Sequence, residues 1–391
     1  MTNEERLIIA TCQSYFNNEY LTVPENIDFK AYYELAKDHN IIGIAHCALS
    51  KNTSATVPDG VRKLFRERFF DLVYIYENQT NLFAELSTIF DRNKIRYIPF
   101  KGAVLRDMYP VAEARSMGDI DILIDSNDVD KVKKALTDNG FSLTAYNSSV
   151  YNFEKNGELF EIHTRLVDDL KNNIYSNALE SAEFDGYRGV LNNNLHLAYL
   201  INHTANHLRN SGAGIRFVLD IAVMLRETQI DIDEVFSLLE QAGLTAFGSV
   251  LLSVCNEWFG YGKAYTENTA MVQEYLLKNG VFGNKKSDTD RTLSRLIQLG
   301  ALDNSKNGTY SPAKMRLRLA FPPYSALRKA EYITFLDGKP YLLPMAWVYR
   351  LGYNLKHSRR SMFNTIKNVD DKNMANLAKE ELNFFEEIGL L

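Results

Sequence analysis

Two aspartates that alternate with isoleucines are the residues of this chain that carry the clearest chemical signal. Asp119 and Asp121 lie two positions apart in the run DIDILI at 119–124, and side chains with that spacing point to the same face of a β-strand. Adjacent carboxylates repel each other unless a cation lies between them, and Mg²⁺ or Mn²⁺ favours such hard oxygen ligands. The pair therefore predicts a divalent-metal site on a strand.

A similar alternation occurs in the run LFEIHTRL at 159–166. Its period places Glu161, His163 and Arg165 on one face and the apolar side chains on the other. If this strand pairs with the aspartate strand, Glu161 supplies a third carboxylate to the same metal site, and His163 lies in the site as well. An exposed glutamate that pairs with Arg165 is the alternative.

The chain before the aspartates contains four candidate phosphate-binding residues, which are Lys101, Gly102, Arg115 and Gly118. Gly102 permits a close backbone approach where a short helix begins, and Lys101 adds a positive charge beside it. Arg115 lies in a predicted loop, where it holds a triphosphate or orients an aspartate, and Gly118 directly precedes Asp119. The alternatives are a simple turn with a surface lysine at Lys101-Gly102 and a solvent-exposed side chain at Arg115.

Two histidines, His203 and His207, share one face of a predicted helix because they lie one turn apart. The run HTANH has the spacing of a zinc metalloprotease motif but lacks its glutamate, which excludes that class. Arg216 and Asp220 form a second pair with helical spacing. We expect this helical pair to pack over the site, with a histidine, His207, at the nucleotide or acceptor; structural packing alone is the alternative.

Periodicity along the rest of the chain predicts an α+β fold in which a small mixed β-sheet core is flanked by helical regions. The predicted parts are an N-terminal helical region (1–94), the α/β core (95–190), a helical domain (191–278), a connector rich in Gly, Asn, Ser, Asp and Lys (279–312) and a C-terminal helical region (313–391). Aromatic residues at helical spacing in the first region are typical of core packing.

Within the core, the pattern predicts a strand at 95–100 and a helix at 103–109 that Pro110 ends. Ser126 is the predicted N-cap of the helix that follows the aspartate strand. Lys155-Asn156-Gly157 predicts a hairpin turn between two further strands. These elements together predict that the strands form one mixed sheet with helices packed on it.

Composition limits the classes of function. The chain has 391 residues, enough for roughly two or three packed domains. Its formal net charge of −5 gives no strong nucleic-acid signal. Three scattered cysteines, Cys12, Cys47 and Cys255, have no zinc-binding spacing and predict reduced residues in a cytoplasmic protein. We expect neither a signal peptide nor a membrane span, because no apolar stretch is long enough.

The chemical motifs together resemble those of the bacterial uncharacterised nucleotidyltransferase family, within the DNA polymerase β-like nucleotidyltransferase superfamily. That pattern has a glycine turn at a helix start, an Asp-x-Asp pair on the next strand and a third acidic residue on a later strand. The residues that carry the resemblance are Lys101-Gly102, Arg115, Gly118-Asp119-Ile120-Asp121-Ile122-Leu123 and Glu161-Ile162-His163. The runs at 34–45 and 201–225 extend it over most of the chain, although many superfamily members have Gly-Ser or Gly-Gly where this chain has Lys101-Gly102.

The resemblance implies an enzyme that moves an NMP from an NTP to an acceptor hydroxyl and releases pyrophosphate. The resemblance does not identify the acceptor; the low net charge favours a small molecule, a sugar or a protein over a long nucleic acid. Mg²⁺ or Mn²⁺ is the expected cofactor. The implied catalytic and metal-binding residues are Asp119, Asp121 and Glu161, with Glu161 also a candidate base. The implied nucleotide-binding residues are Lys101, Gly102, Arg115, Gly118, His163 and His207.

Two alternatives belong to other classes. A glycosyltransferase also uses Asp-x-Asp, to hold a metal and a nucleotide-sugar, but the long helical region before the motif and the presence of Lys101-Gly102 and Glu161 argue against it. A catalytically inactive nucleotide-binding module, or one half of a toxin–antitoxin pair, is the non-enzymatic alternative. The presence of all three candidate carboxylates argues against this second alternative, and a protein partner is compatible with either function.

Overall fold

A computed structural model describes residues 1–51, 56–147, 149–167, 174, 177–210, 212–280, 317, 320–328, 330–357, 380 and 383–390. The N-terminal region is helical, as predicted. Its helices are α1 (Asn3–Asn17), α2 (Phe29–Asp38), α3 (Ile42–Lys51) and α4 (Asp59–Arg92). Helix α1 begins with a capping box between Thr2 and Glu5, and the Asp28 side chain caps α2.

The strands of the described chain form one mixed sheet of seven strands, in the order β3-β4-β5-β2-β1-β7-β6. The elements of this part are β1 (Tyr97–Phe100), α5 (Gly102–Leu105), β2 (Asp119–Ile124), α6 (Val129–Asp138), β3 (Ser142–Tyr146), β4 (Val150–Lys155), β5 (Glu158–His163), β6 (Glu183–Asp185) and β7 (Arg188–Val190). Strand β2 runs antiparallel to β1 and parallel to β5. The α+β class is therefore confirmed.

Helices return after the sheet. They are α7 (Asn193–Asn210), α8 (Ile215–Glu227), α9 (Ile232–Gln241), α10 (Thr245–Phe259), α11 (Ala270–Asn279), α12 (Tyr324–Leu327) and α13 (Leu343–His357). Of the predicted connector 279–312, residues 281–312 lie outside the described residues.

The two faces of β2 pack against different helices. Ile120, Ile122 and Ile124 are buried in a cluster that includes side chains of α4 and α6. Leu123, on the other face, belongs to a larger cluster that includes side chains of α7 and α8. Because side chains alternate along a strand, Asp119 and Asp121 share the face of Leu123. The aspartates therefore point toward α7 and α8.

Several local predictions were wrong in detail. The helix predicted at 103–109 is shorter, because α5 gives way to a 3₁₀ turn at Arg106–Met108. Ser126 is not an N-cap; the Asp125 carboxylate accepts the Asn127 N–H at 2.8 Å and begins a 3₁₀ turn before α6. Strand β5 ends at His163, so Arg165 does not lie on the predicted face.

The hairpin prediction is confirmed. Asn156 and Gly157 both have positive φ, 52° and 82°, between β4 and β5, as a two-residue hairpin turn requires. Strands β6 and β7 were not predicted, because each has only three residues and too little alternation to read. All three cysteines are free, and Cys12 and Cys255 are buried.

Among the described residues, no helix combines the length and the apolarity that a bilayer span requires.

Candidate active site

Asp121 lies at the centre of the candidate site because of the parallel pairing of β2 with β5. The register places Asp121 beside Glu161 and Leu123 beside His163. His163 Nε2 lies 2.9 Å from Asp121 Oδ1 and 3.4 Å from Glu161 Oε2. The pairing that the sequence analysis required for a third carboxylate is therefore present.

Asp121, Glu161 and His163 form a group of candidate metal ligands. One ligand atom from each lies within 4.8 Å of those of the other two. Burial lowers the pKa of His163, but its hydrogen bonds to Asp121 and Glu161 outweigh this effect and raise it. The predicted metal ligands were Asp119, Asp121 and Glu161. Among the described residues, the group that lies close together contains His163 instead of Asp119.

Asp119 lies one strand repeat before Asp121 and is half-buried. Burial, followed by the charge of Asp121, raises the pKa of Asp119 to about 6. Two carboxylates on one face of β2 therefore repel each other, as the spacing predicted.

Lys101 supplies a positive charge directly to the site. Its Nζ donates to Asp121 Oδ1 at 2.7 Å, and the Lys101 side chain is only 14% exposed. The alternative of a surface lysine is therefore wrong. Burial raises the pKa of Asp121, but Lys101 and His163 together lower it below its ordinary value. Burial lowers the pKa of Lys101, and the opposing charge of Asp121 raises it above its ordinary value.

The backbone at Lys101 is strained and is held by a histidine that the sequence analysis did not single out. Lys101 has φ 50° and ψ −128°, a conformation that costs an L residue about 1–3 kcal/mol. Its N–H donates to His196 Nε2 at 3.2 Å. Burial lowers the pKa of His196 to about 4, so the ring is neutral and Nε2 can accept. His196 lies within the apolar run of α7, which gives no signal beyond that of a core residue.

Gly102 packs closely against two side chains of the chain itself. A Cβ at this position would lie 2.6 Å from Met117 Sδ and 2.8 Å from Arg115 Nη1. Gly118, by contrast, is exposed, and a Cβ there would meet nothing within 4 Å. The close approach expected at Gly102 is thus made by protein side chains, and contact of either glycine with a phosphate stays a prediction.

Arg115 forms a buried bidentate ion pair with Asp220 of α8. Arg115 Nε and Nη2 donate to the two Asp220 oxygens, each at 2.8 Å, and the Tyr109 hydroxyl donates to Asp220 Oδ1 at 2.7 Å. Arg115 is only 6% exposed, so the solvent-exposed alternative is wrong. The predicted pairing of Arg216 with Asp220 is corrected as well, because Asp220 directs both oxygens to Arg115.

The Arg115 guanidinium retains one unused donor. Its Nη1 is buried and has no hydrogen-bond partner within the described part of the chain. Arg115 also lines a cavity of about 200 Å³, together with α4 residues such as Tyr76 and Gln79 and with Gly118. This cavity borders the loop that leads into β2.

Helices α7 and α8, which carry the predicted histidine pair and Arg216, pack in the cluster that contains Leu123, on the sheet face of the aspartates. The rings of His203 and His207 are 4.5 Å apart, and that of His207 is 4.8 Å from Phe217 of α8. Burial and then the charge of Lys101 lower the pKa of both histidines, that of His207 to about 4. Arg216 Nη1 donates to Ser116 O at 2.9 Å, which ties α8 to the residues before β2. Binding of a nucleotide by His207 stays a prediction.

The donor set fits a divalent cation. Asp121 and Glu161 offer hard carboxylate oxygens, which suit Mg²⁺ and Mn²⁺, whereas the imidazole nitrogen of His163 is a ligand type that suits softer ions such as Zn²⁺. Asp119 lies on the same face of the sheet and adds a further carboxylate. The net negative charge of these carboxylates, which Lys101 offsets only in part, favours a cation here.

Comparison with known proteins identifies the family. Residues 25–260, more than half of the 391-residue chain, match the family described as "Uncharacterised nucleotidyltransferase". The matched range contains every candidate site residue described above. No match was found among curated proteins or among solved structures. The chain therefore belongs to the uncharacterised nucleotidyltransferase family.

Proposed function

We propose that this protein is a metal-dependent nucleotidyltransferase that transfers an NMP from an NTP to an acceptor hydroxyl and releases pyrophosphate. The observation that carries the proposal is the parallel pairing of β2 with β5, which aligns Asp121 with Glu161. It occurs in a chain that belongs to a nucleotidyltransferase family. Family membership also favours this reaction over the transfer of a sugar from a nucleotide-sugar.

The cofactor in this proposal is Mg²⁺ or Mn²⁺, and Asp119, Asp121 and Glu161 would hold it. When bound, such an ion neutralises phosphate charge and favours in-line displacement at phosphorus. His163, which contacts both Asp121 and Glu161, positions these two carboxylates relative to each other.

The bond changes assign a role to Glu161. The acceptor oxygen forms a bond to the α-phosphorus, while the bond from that phosphorus to the oxygen bridging the β-phosphate breaks. The electron pair of the broken bond leaves with pyrophosphate. Glu161 takes the proton of the acceptor hydroxyl; its side chain is 24% exposed, against 2% for Asp121, which supports access by an acceptor.

The nucleotide side of the site contains Lys101, Gly102, Gly118, His163 and His207. Lys101 is the cationic residue nearest the carboxylates and would contact phosphate oxygens. Arg115 acts indirectly, since its ion pair with Asp220 orients α8. The net charge of −5 favours a small molecule, a sugar or a protein as acceptor over a long nucleic acid. A cytoplasmic location is consistent with the free cysteines.

Calorimetric titration of each of the four common NTPs, with and without Mg²⁺ or Mn²⁺, tests the proposal. We expect at least one NTP to bind only with the metal. Asp119→Asn should weaken that binding by about tenfold or more, because it removes a half-buried metal-binding charge. Asp119 is preferred to the fully buried Asp121 for this test because its substitution is less disruptive to folding.

The matched control is Asp125→Asn, directly after the other end of β2. Among the described residues, the Asp125 carboxylate accepts only the Asn127 N–H, and an asparagine oxygen can do the same, so NTP binding should be unchanged. If no NTP binds with either metal, or if both variants bind equally well, the proposed function is wrong. An NTP that binds then serves, with a label on its α-phosphate, to screen acceptors.

A further inference from the structure

Arg216 is an arginine near the site that forms no ion pair with an Asp or Glu of the described residues. It lies in the first turn of α8, and its Nη1 donates to Ser116 O at 2.9 Å. Asp220, one turn further along α8, directs both of its oxygens to Arg115. Within the described part of the chain, no Asp or Glu forms an ion pair with Arg216. The guanidinium therefore retains donors and a charge for an anion.

The electrostatic setting of Arg216 disfavours its charge. Burial and the nearby Arg115 lower the pKa of Arg216, and the more distant attraction of Asp220 and Asp119 offsets this only in part. A half-buried cation that is not paired with a carboxylate is costly unless a ligand supplies the opposite charge. The same cost supports a binding role, because a bound anion would remove it.

The position of Arg216 relative to the sheet indicates which part of a nucleotide it meets. Its contact with Ser116 holds it beside the residues that lead into β2, and α8 packs against α5, which follows Lys101. In the sheet, β1 and β5 lie on opposite sides of β2. Lys101, which directly follows β1, is thus on the β1 side of the aspartates, whereas Glu161 is on the β5 side. Arg216 lies on α8, the helix that packs against α5 next to Lys101.

We propose that Arg216 binds the β- and γ-phosphates of the NTP. Arg216 and Lys101 then flank the pyrophosphate that leaves from the β1 side, while the acceptor hydroxyl enters beside Glu161 on the β5 side. This arrangement provides the opposed approach and departure that in-line displacement requires. The assignment rests on the proposed function and adds to it the orientation of the triphosphate.

The chemistry of arginine suits this role. A guanidinium presents parallel N–H donors that match two phosphate oxygens, and its charge does not depend on pH in the working range. As the bond to the α-phosphorus breaks, negative charge grows on the bridging oxygen and spreads into the pyrophosphate. Arg216 stabilises this charge with N–H groups that are not used by Ser116, while its Nη1 keeps the hydrogen bond to Ser116 O.

The test compares Arg216→Gln with Arg226→Gln on the same helix. Arg226 makes a similar contact, since its Nη1 donates to Phe16 O at 2.8 Å, but it also pairs with Glu227 at 2.9 Å and lies at the other end of α8. Affinities for the best-binding Mg-NTP and for the matching NMP are measured by calorimetry. In Arg216→Gln we expect the NTP affinity to fall by about 10- to 100-fold and the NMP affinity by less than about threefold. Arg216→Lys should recover part of the NTP affinity.

Three results separate the possible failures. If wild type binds NTP and Arg216→Gln matches Arg226→Gln, the assignment is overturned and the proposed function stands. If Arg216→Gln loses NTP and NMP affinity equally, Arg216 only supports the structure through Ser116, and the assignment is again overturned. If wild type binds no NTP with metal, the proposed function fails and the assignment fails with it. Thermal melts of all variants verify that each one is folded.

Discussion

Asp121 receives two donors on a single carboxylate oxygen. Lys101 Nζ and His163 Nε2 both contact Oδ1, at 2.7 and 2.9 Å. A carboxylate that is only 2% exposed is costly unless it is paired. The pairing with Lys101 therefore maintains the charge of Asp121 as well as adding a cation to the site.

Replacing Lys101 tests whether the buried charge of Asp121 depends on Lys101. Lys101→Met leaves Asp121 buried without its main counter-charge, so we expect the free energy of unfolding to fall by about 3–5 kcal/mol. Urea denaturation in the absence of divalent metal measures the change. The control is Lys134→Met, which removes an ion pair of the same 2.7 Å length to Asp138 on the surface. That variant should change stability little, because solvent screens an exposed pair. Equal effects in both variants would contradict the role assigned to Lys101.

The strained turn between β1 and α5 contacts helix α7. Lys101 holds a left-handed backbone conformation in which its N–H points to His196 of α7. Such strain persists only where surrounding contacts enforce it. Helix α7 therefore contributes to the site through a neutral imidazole, in addition to covering the sheet.

A neutral His196 makes stability depend on pH. The folded pKa of about 4 lies below the ordinary value of 6.5, so the unfolded chain binds the proton first. Stability is thus complete above about pH 6.5 and declines as pH falls toward about 4. Between about pH 7 and pH 5 the loss due to His196 should be roughly 2 kcal/mol. His196→Gln, whose amide oxygen can accept the Lys101 N–H, should show a decline smaller by that amount.

Denaturation curves at several pH values provide the measurement. His39, His46, His203 and His207 also have lowered pKa values, so wild type and His196→Gln should both lose some stability in acid and only the difference between them is diagnostic. His46→Gln, at a half-buried histidine stacked on Phe69, is the comparison variant and should have less effect. A slope for His196→Gln equal to that of wild type would show that His196 does not remain neutral.

A charged contact joins the chain that leads into the sheet to the helical layer on the aspartate face. Helices α4 and α6 cover one face of the sheet, and α7 and α8 cover the face that carries the aspartates. The ion pair between Arg115 and Asp220 joins the chain before β2 to the centre of α8. The relative position of the sheet and the second helical layer therefore depends on a buried pair of opposite charges.

Asp220→Asn should weaken this connection. The amide retains the shape of the carboxylate but not its charge, which leaves a buried guanidinium uncompensated. We expect the free energy of unfolding to fall by about 3 kcal/mol or more, as measured by urea denaturation. Asp231→Asn is the matched control, because Asp231 caps α9 through its side-chain oxygen and asparagine caps helices about as well. If the two variants are equally stable, the Arg115–Asp220 pair does not join the layers.

Local patterns in the sequence were sufficient to identify β2, β5, their hairpin neighbour β4 and the candidate carboxylates. Alternation with a period of two shows which residues share a face, whatever the rest of the chain does. The pairing of β2 with β5 was a hypothesis that followed from two such strands. The short strands β6 and β7 were missed because three residues carry too little alternation.

Only the packing of the tertiary structure determines which charged side chains pair with each other. Lys101 contacts Asp121, which is 20 positions away in the sequence, and His196, which is 95 positions away. Arg115 and Asp220 are separated by 105 positions. A helical spacing made Arg216 the expected partner of Asp220, yet Arg115 approaches the same carboxylate with two parallel donors. Sequence patterns record neighbours within one strand or helix. Contacts between distant charges depend on how the elements pack, because burial makes an unpaired charge costly and selects the arrangement that pairs it.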